Sequence, residues 1–195
     1  MRVLIACEYS GKVREAFRSM GHDVISCDLL PSDDNSKFHY QGDVFDLINN
    51  ESFDLMIAHP PCTYLSVSGM HWTTRGLRDP QLTIDALDFV HRLLDAPIPK
   101  IALENPVSII STRIRKPDQI IQPWHYGHDA SKKTCLWLTG LPLLIPTDIL
   151  EGDNKTRRAN QTQSGQNKLA PSSDRWKLRS ATYQGIADAM ANHWG

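Results

Sequence analysis

Residues 2–28, RVLIACEYSGKVREAFRSMGHDVISCD, decide the fold of this chain. Residues 2–7 are a short apolar run, which predicts a buried strand. Residues 12–20 then place apolar side chains at helical spacing, and Gly21 ends the helix. Residues 23–27 predict a second strand. A strand, a turn, a helix and a strand in this order begin a doubly wound α/β sheet.

The rest of the chain continues this alternation of elements. Apolar runs predict strands at residues 53–58, 98–103, 134–138 and 143–145, the last two as candidates for antiparallel strands. Helices are predicted from Val44 to Asn49 and at residues 81–94 and 186–193, and loops at 31–41, 63–79 and 153–173. We expect a single domain over residues 1–195, with a mobile basic loop at 151–179.

The composition excludes several classes of protein. It is 41% hydrophobic and 22% charged, which is ordinary for a globular domain. No apolar run approaches the roughly 18 residues that span a bilayer, and Glu8 interrupts the apolar start too early for a signal peptide. The four cysteines form no Cys-x-x-Cys pair, which argues against a disulfide framework or a zinc site. We therefore expect a cytoplasmic protein with no metal and no membrane partner.

The chain has a net charge of −1, but its charges are distributed unevenly along the sequence. Residues 1–112 carry nine basic and fifteen acidic side chains, a net charge of −6. Residues 113–179 carry twelve basic and six acidic side chains, a net charge of +6, with Trp176 among the basic residues. A basic strip with a stacking ring predicts a polyanionic partner, although a solvated surface without a partner would show the same counts.

Polar or reactive side chains follow the predicted strands at their carboxyl ends, where open α/β sheets bind ligands. These residues are Glu8, Asp28, Asp43, Cys62 and Glu104. The turn Glu8-Tyr9-Ser10-Gly11 can offer backbone amides to a carboxylate or a phosphate. Asp28 is placed to accept hydrogen bonds from ribose hydroxyls, and Asp43 could accept one from an adenine amine. An adenosyl cofactor and a dinucleotide both fit this pattern.

The sequence Pro60-Pro61-Cys62 predicts a thiol held rigidly at a strand end, because two prolines stiffen the backbone. Glu104-Asn105-Pro106 follows the next strand after one helix, so Cys62 and Glu104 should lie close together. A thiolate can add to a carbon of an electron-poor ring while a neutral carboxylic acid protonates the neighbouring ring nitrogen. This chemistry requires burial to raise the pKa of Glu104.

The order of these motifs resembles that of the DNA cytosine-5 methyltransferase family, in a reduced version like those of phages and prophages. Pro60-Pro61-Cys62 resembles the family's Pro-Cys motif, and Glu104-Asn105 its Glu-Asn motif. The cofactor motifs are matched by residues 8–21, Asp28 and Asp43, and the last motif by residues 180–191.

The resemblance implies a Rossmann-like class I methyltransferase fold and S-adenosylmethionine as the cofactor. It implies methyl transfer to C5 of cytosine in DNA through a covalent bond between Cys62 and C6, with Cys62, Glu104 and Asn105 as catalytic residues. The implied cofactor site comprises Glu8, Tyr9, Ser10, Gly11, Asp28, Leu29, Asp43, Val44, Pro60 and Gln184. The implied DNA contacts are Ser66, Trp72, Arg75, Arg78, Lys132, Lys133, Arg157, Arg158 and Lys177.

Two departures from the family widen the choice of substrate. Residues 141–179 are too few for the family's target-recognition domain. Lys132 and Lys133 stand where the family's basic motif has Gln and Arg, and lysine cannot make a bidentate contact. Duplex DNA and single-stranded DNA are both candidate substrates. The alternatives are C5 methylation of a free pyrimidine nucleotide and a non-catalytic DNA-binding module of the same fold.

Overall fold

One seven-stranded sheet organises the computed structural model, which describes residues 1–173 and 175–195. Its strands are β1 (Arg2–Ala6), β2 (Asp23–Asp28), β3 (His39–Gln41), β4 (Leu55–Ala58), β5 (Lys100–Pro106), β6 (Gln119–Ile121) and β7 (Thr134–Thr139). They lie in the order β3-β2-β1-β4-β5-β7-β6, with β7 antiparallel to both of its neighbours and the other pairs parallel. This confirms the predicted fold class, a doubly wound, mostly parallel, Rossmann-like α/β sheet.

Helices cover both faces of the sheet. They are α1 (Lys12–Ser19), α2 (Val44–Asn50), α3 (Val67–Thr74), α4 (Gln81–Leu94), α5 (Ile110–Arg113), α6 (Arg175–Ser180) and α7 (Gln184–Trp194). On one face α1 and α7 bury Phe17 and Trp194 in a common core, and on the other α2 and α4 bury Leu47 and Leu93. None of the described helices is long and apolar enough to cross a membrane.

The apolar run at the start of the chain forms a central strand because both faces of β1 are covered. Val3 and Ile5 belong to the core under α1 and α7, whereas Leu4 and Ala6 belong to the core under α2 and α4. All four side chains are fully buried. A strand covered on both faces needs apolar residues at successive positions, which is the continuous pattern that the sequence shows.

The structure corrects the sequence prediction in several loops. The predicted loop at 31–41 contains β3, and the predicted loop at 63–79 contains α3, which starts where the Ser66 hydroxyl accepts a hydrogen bond within the first turn. The predicted strand at 143–145 does not form. Instead, the Gln119 side-chain amide makes both hydrogen bonds to the Leu144 backbone that a strand partner would make, each at 2.8 Å.

The segment predicted as a mobile basic loop, residues 151–179, has mixed structure. Residues 151–173 form turns and one isolated bridge, and α6 begins at Arg175. Asp174, which falls within the prediction, lies outside the described residues. The mobility of this segment stays a prediction.

Arg14 is a fully buried cation that joins α1 to the loop after β2. Its guanidinium donates to Ser26 Oγ at 2.9 Å and is paired with the carboxylates of Glu15 and Asp34. Gly11 leaves room for this group, because a Cβ at that position would lie 2.3 Å from Arg14 Nη2. The left-handed φ of 73° at Gly11 adds a second reason for glycine there.

We expect Arg14→Ala to lower the free energy of unfolding by about 3 kcal/mol, because it removes a fully buried side chain and takes the donor from the buried Ser26 hydroxyl. Urea denaturation of the purified protein measures this change. Arg113→Ala, which removes an exposed arginine, is the matched control and should change stability by about 0.5 kcal/mol or less. Equal losses in the two variants would contradict the role of Arg14.

Candidate active site

A cleft of about 1240 Å³ lies beyond the carboxyl ends of β1, β2, β4 and β5. It brings together half of the side chains that the sequence singles out: Glu8, Tyr9, Ser10, Asp28, Pro60, Cys62, Ser66, Glu104, Asn105, Lys132 and Lys133. The other predicted residues are not among those that line it: Gly11, Leu29, Asp43, Val44, Trp72, Arg75, Arg78, Arg157, Arg158, Lys177 and Gln184.

Two side-chain hydrogen bonds extend the pairing of β4 and β5 past the end of the backbone ladder. The ladder ends with Ala58 opposite Leu103. One position further, His59 Nδ1 lies 2.8 Å from Glu104 Oε2. At the next position, Asn105 Nδ2 donates to the Pro60 carbonyl at 2.8 Å. Because proline has no N–H for a ladder, these side chains hold the Pro-Pro-Cys turn to β5 instead.

Asn105 therefore acts on the backbone of the turn. It is 1% exposed, and its amide nitrogen is used by the Pro60 carbonyl. The amide thereby positions the turn that carries Cys62, and the catalytic role expected for Asn105 stays a prediction.

The pKa of Glu104 is lower than that of an ordinary glutamate. Burial pushes this pKa up, but the hydrogen bond from His59, the charge of Lys132 and a hydrogen bond with Thr134 together outweigh burial. The prediction of a raised pKa for Glu104 is wrong, because donors from neighbouring elements surround the carboxyl group and outweigh the effect of burial. Glu104 is a carboxylate at neutral pH.

The Cys62 thiol has the opposite shift. Burial raises its pKa, and the negative charge of Glu104 raises it further, whereas Lys132 and Arg179 lower it. The resting cleft therefore contains a neutral thiol and a carboxylate whose negative charge acts on it. A proton could pass from the first to the second.

Lys132 links this pair to the wall of the cleft. Its Nζ donates to the carbonyls of Ser180 and Ala181, at the end of α6, at 3.3 Å each. Its charge lowers the pKa of both Cys62 and Glu104. Lys132 therefore helps to shape the cleft, and its predicted DNA contact stays a prediction.

At the cofactor end, Glu8 caps a helix. Its carboxylate accepts hydrogen bonds from the amides of Val13 at 2.7 Å and Arg14 at 3.2 Å, in the first turn of α1. The carboxylate is thereby committed to the helix, although Glu8 lines the cleft. Asp28 lines the cleft as predicted, and burial raises its pKa.

Four further residues predicted to bind the cofactor are not among those that line the cleft. Asp43 caps α2 by accepting a hydrogen bond from the amide of Phe45 at 3.0 Å. Val44 is 4% exposed within the core, whereas Leu29 is 74% exposed. The Gln184 side chain bonds Asp188 on its own helix at 2.8 Å. Their predicted cofactor contacts stay predictions, although Asp43 and Gln184 are engaged with their own helices.

Four of the residues predicted to contact DNA lie on or beside helix α3. Ser66 lines the cleft at the start of this helix. Trp72 is 48% exposed, and Arg75 follows the last turn. Arg78 donates to the Thr63 carbonyl at 3.0 Å. Trp72, Arg75 and Arg78 lie outside the cleft lining, so any DNA contact they make lies beyond its walls.

Arg158 does not fit its predicted DNA contact. It is 5% exposed, donates to the Glu151 carbonyl at 3.0 Å and lies 4.7 Å from the centre of the Trp124 ring. Arg157 is exposed nearby, outside the cleft lining. Lys177 is paired with Asp33 and lines a smaller hollow of about 470 Å³ beside the turn after β1.

His59 is one of the cleft residues that the site prediction did not include. It occupies a strand end directly before the Pro-Pro-Cys turn, which is the same signal that singled out Glu104. Lys168, Trp176 and Arg179, which belong to the predicted basic strip, also line the cleft.

Comparison with known proteins gives similarities of low identity. No protein-family model matches the chain, and no curated protein does. One similar solved structure is a proposed DNA modification methyltransferase encoded within an E. coli prophage, with 15% identity and a TM-score of 0.45 over 83% of this chain. Another is the Entamoeba histolytica methyltransferase EhMeth, with 16% identity and a TM-score of 0.48 over 77% of this chain. The matched part spans 57% of the length of either protein.

We expect Glu104→Gln to speed alkylation of Cys62 by iodoacetamide at pH 8 by about three- to tenfold. Burial would still raise the pKa of the thiol, but removing the neighbouring negative charge lowers it and increases the thiolate fraction. Mass spectrometry of the Cys62 peptide over time gives the rate. Asp95→Asn, which neutralises an exposed carboxylate after α4, is the control. An unchanged or slower rate in Glu104→Gln would contradict the electrostatic coupling.

Proposed function

We propose that this protein transfers a methyl group from S-adenosylmethionine to C5 of cytosine in DNA, through a covalent bond between Cys62 and C6. The observation that supports this most is the convergence of a rigidly held thiol and a carboxylate on one cleft. The cleft lies at the edge of the sheet where α/β proteins bind ligands.

Part of the cleft fits the cofactor. Asp28 supplies a carboxylate suited to ribose hydroxyls, and the backbone around Tyr9 and Ser10 borders the same space. When bound, S-adenosylmethionine supplies an electrophilic methyl group on a sulfonium. Asp28, Tyr9 and Ser10 would hold it at the ends of β1 and β2, while Cys62 and Glu104 stand at the ends of β4 and β5.

The residues of the cleft offer a complete path for the proton of the thiol. The S–H bond of Cys62 breaks as Glu104 takes the proton, and Glu104 passes it to N3 of cytosine as sulfur bonds C6. After C5 is methylated, its proton leaves to water or another base. The S–C6 bond then breaks, and the N3 proton returns through Glu104 to the thiolate. In this path Glu104 begins as a base, which its lowered pKa allows.

Basic and aromatic residues support DNA as the substrate. Lys133, Lys168 and Arg179 line the cleft, and Trp176, which is 55% exposed, lines it beside them. Cationic groups neutralise phosphates, and an aromatic ring can stack on a base. A nucleotide substrate would need few of these cations.

Cys62→Ser tests the covalent step. We expect it to lower methyl transfer to DNA by more than about a thousandfold, because the hydroxyl is a far weaker nucleophile, while cofactor affinity stays within about twofold. Transfer of a tritiated methyl group and titration calorimetry measure the two effects. An equal loss of cofactor binding would make Cys62 a structural residue.

The wild-type protein decides whether the proposed function holds. Duplex DNA, single-stranded DNA and deoxycytidine nucleotides are each incubated with labelled cofactor. Failure to find label at C5 of cytosine in all three would refute the proposal. DNA binding without label in any substrate would favour the non-catalytic module.

The salt dependence of binding tests the choice of DNA over a free nucleotide. We expect a steep decrease of DNA affinity with salt, and a slope smaller by about one for each of Lys133→Gln and Lys168→Gln. Fluorescence anisotropy with a labelled oligonucleotide at several salt concentrations measures the slope. Lys100→Gln, at the opposite end of β5, is the control. A shallow slope that neither variant changes would support the nucleotide alternative.

A further inference from the structure

We infer that His59 is the positioning residue of Glu104, and that its Nδ1–H fixes the carboxyl group in the orientation and the proton-accepting form that the reaction needs. This inference rests on the proposed function. It assigns a role to a residue that neither touches the substrate in the proposed reaction nor belongs to the predicted site.

The contact between His59 and Glu104 is short and mostly buried. His59 Nδ1 lies 2.8 Å from Glu104 Oε2, and the two side chains are 12% and 10% exposed. The contact joins adjacent strands in register, one position past Ala58 and Leu103. A short contact shielded from water holds its partners more firmly than a surface pair does.

The other ring nitrogen indicates the tautomer. His59 Nε2 is buried and has no hydrogen-bond partner within residues 1–173 and 175–195. A proton on Nε2 would bury an unpaired N–H, whereas an unprotonated Nε2 leaves only an unused lone pair. The contacts therefore favour a neutral ring with its proton on Nδ1, donated to Glu104. His59 thus acts as a fixed hydrogen-bond donor through its Nδ1–H.

The groups around Glu104 determine how its pKa would change if the His59 donor were lost. Lys132 faces the carboxyl group from the segment before β7, Thr134 bonds it from β7, and the Cys62 and Cys135 thiols lie within its electrostatic reach. His59 provides the largest of the effects that oppose burial. Without it, burial is opposed less, so the pKa of Glu104 rises and the carboxyl group is protonated over a wider range of acidic pH.

Three variants separate a donor from a structural residue. His59→Leu removes the donor, whereas His59→Asn places an amide N–H near the position of Nδ1 but cannot titrate. His91→Leu is the matched control, because His91 Nδ1 also lies 2.8 Å from a carboxylate, that of Asp95, but on the exposed surface of α4. Circular dichroism shows whether each variant is folded.

The first measurement is an NMR titration of Glu104 in the protein without substrate, with glutamate labelled at the carboxyl carbon and Glu104→Gln used for assignment. We expect the midpoint to rise by about one pH unit or more in His59→Leu and to change little in His59→Asn and His91→Leu. A midpoint in His59→Leu equal to that of the wild type would overturn the inference. This result does not depend on the substrate, so it is separate from any failure of the proposed function.

The second measurement is the pH profile of kcat for methyl transfer. Because the carboxylate must accept the thiol proton, the acidic limb should move to higher pH by about one unit in His59→Leu, so that kcat measured on that limb, below the wild-type midpoint, is lower by about tenfold. His59→Asn should restore at least about a fifth of wild-type kcat, with the limb near its original place. A folded His59→Asn as slow as His59→Leu would contradict the donor role. A fall in kcat with no shift of the limb would make His59 merely structural.

Discussion

The site depends on one constraint, which is that β4 and β5 stay in register after their backbone ladder ends. Side chains make the last two connections, between His59 and Glu104 and between Asn105 and the Pro60 carbonyl. Neither proline of the turn can donate a backbone N–H, so these side chains tie the turn to β5, while the Cys62 carbonyl accepts hydrogen bonds from the amides of Leu65 and Ser66. The prolines limit the turn's conformations, and the side-chain bonds choose where it lies.

Electrostatic interactions shift the pKa values of the Cys62 thiol and the Glu104 carboxyl group in opposite directions. Both are removed from water, which alone would raise the pKa of each. The donors near Glu104 reverse that effect for the carboxyl group, and the resulting negative charge strengthens it for Cys62. The resting protein therefore stores the reactive proton on sulfur. An inert thiol in the absence of substrate is also protected from alkylation and oxidation.

Periodicity and strand ends predict much of the fold and the edge of the sheet that carries the site, but not the contacts made there. Asp28 and Asp43 give the same signal, an acid at or after a strand, yet Asp28 lines the cleft and Asp43 caps a helix. The difference depends on which backbone amides lie within reach, which a local pattern does not contain. The protonation of Glu104 likewise depends on groups that the chain brings from β4 and from the segment before β7. Arg158 is basic in sequence but packs on an aromatic ring, which only the folded loop determines.

Lys132 interacts with both the end of α6 and the pair formed by Cys62 and Glu104. One ammonium group holds the end of α6 through two carbonyls and also lowers the pKa of the thiol and the carboxyl group. The wall that carries Trp176 and Arg179 is thus mechanically joined to the acid–base pair. Any displacement of that wall that moves the ammonium group also changes the electric potential at the Cys62 sulfur, which in the proposed function would couple the binding of a strand to the reactivity of the thiol.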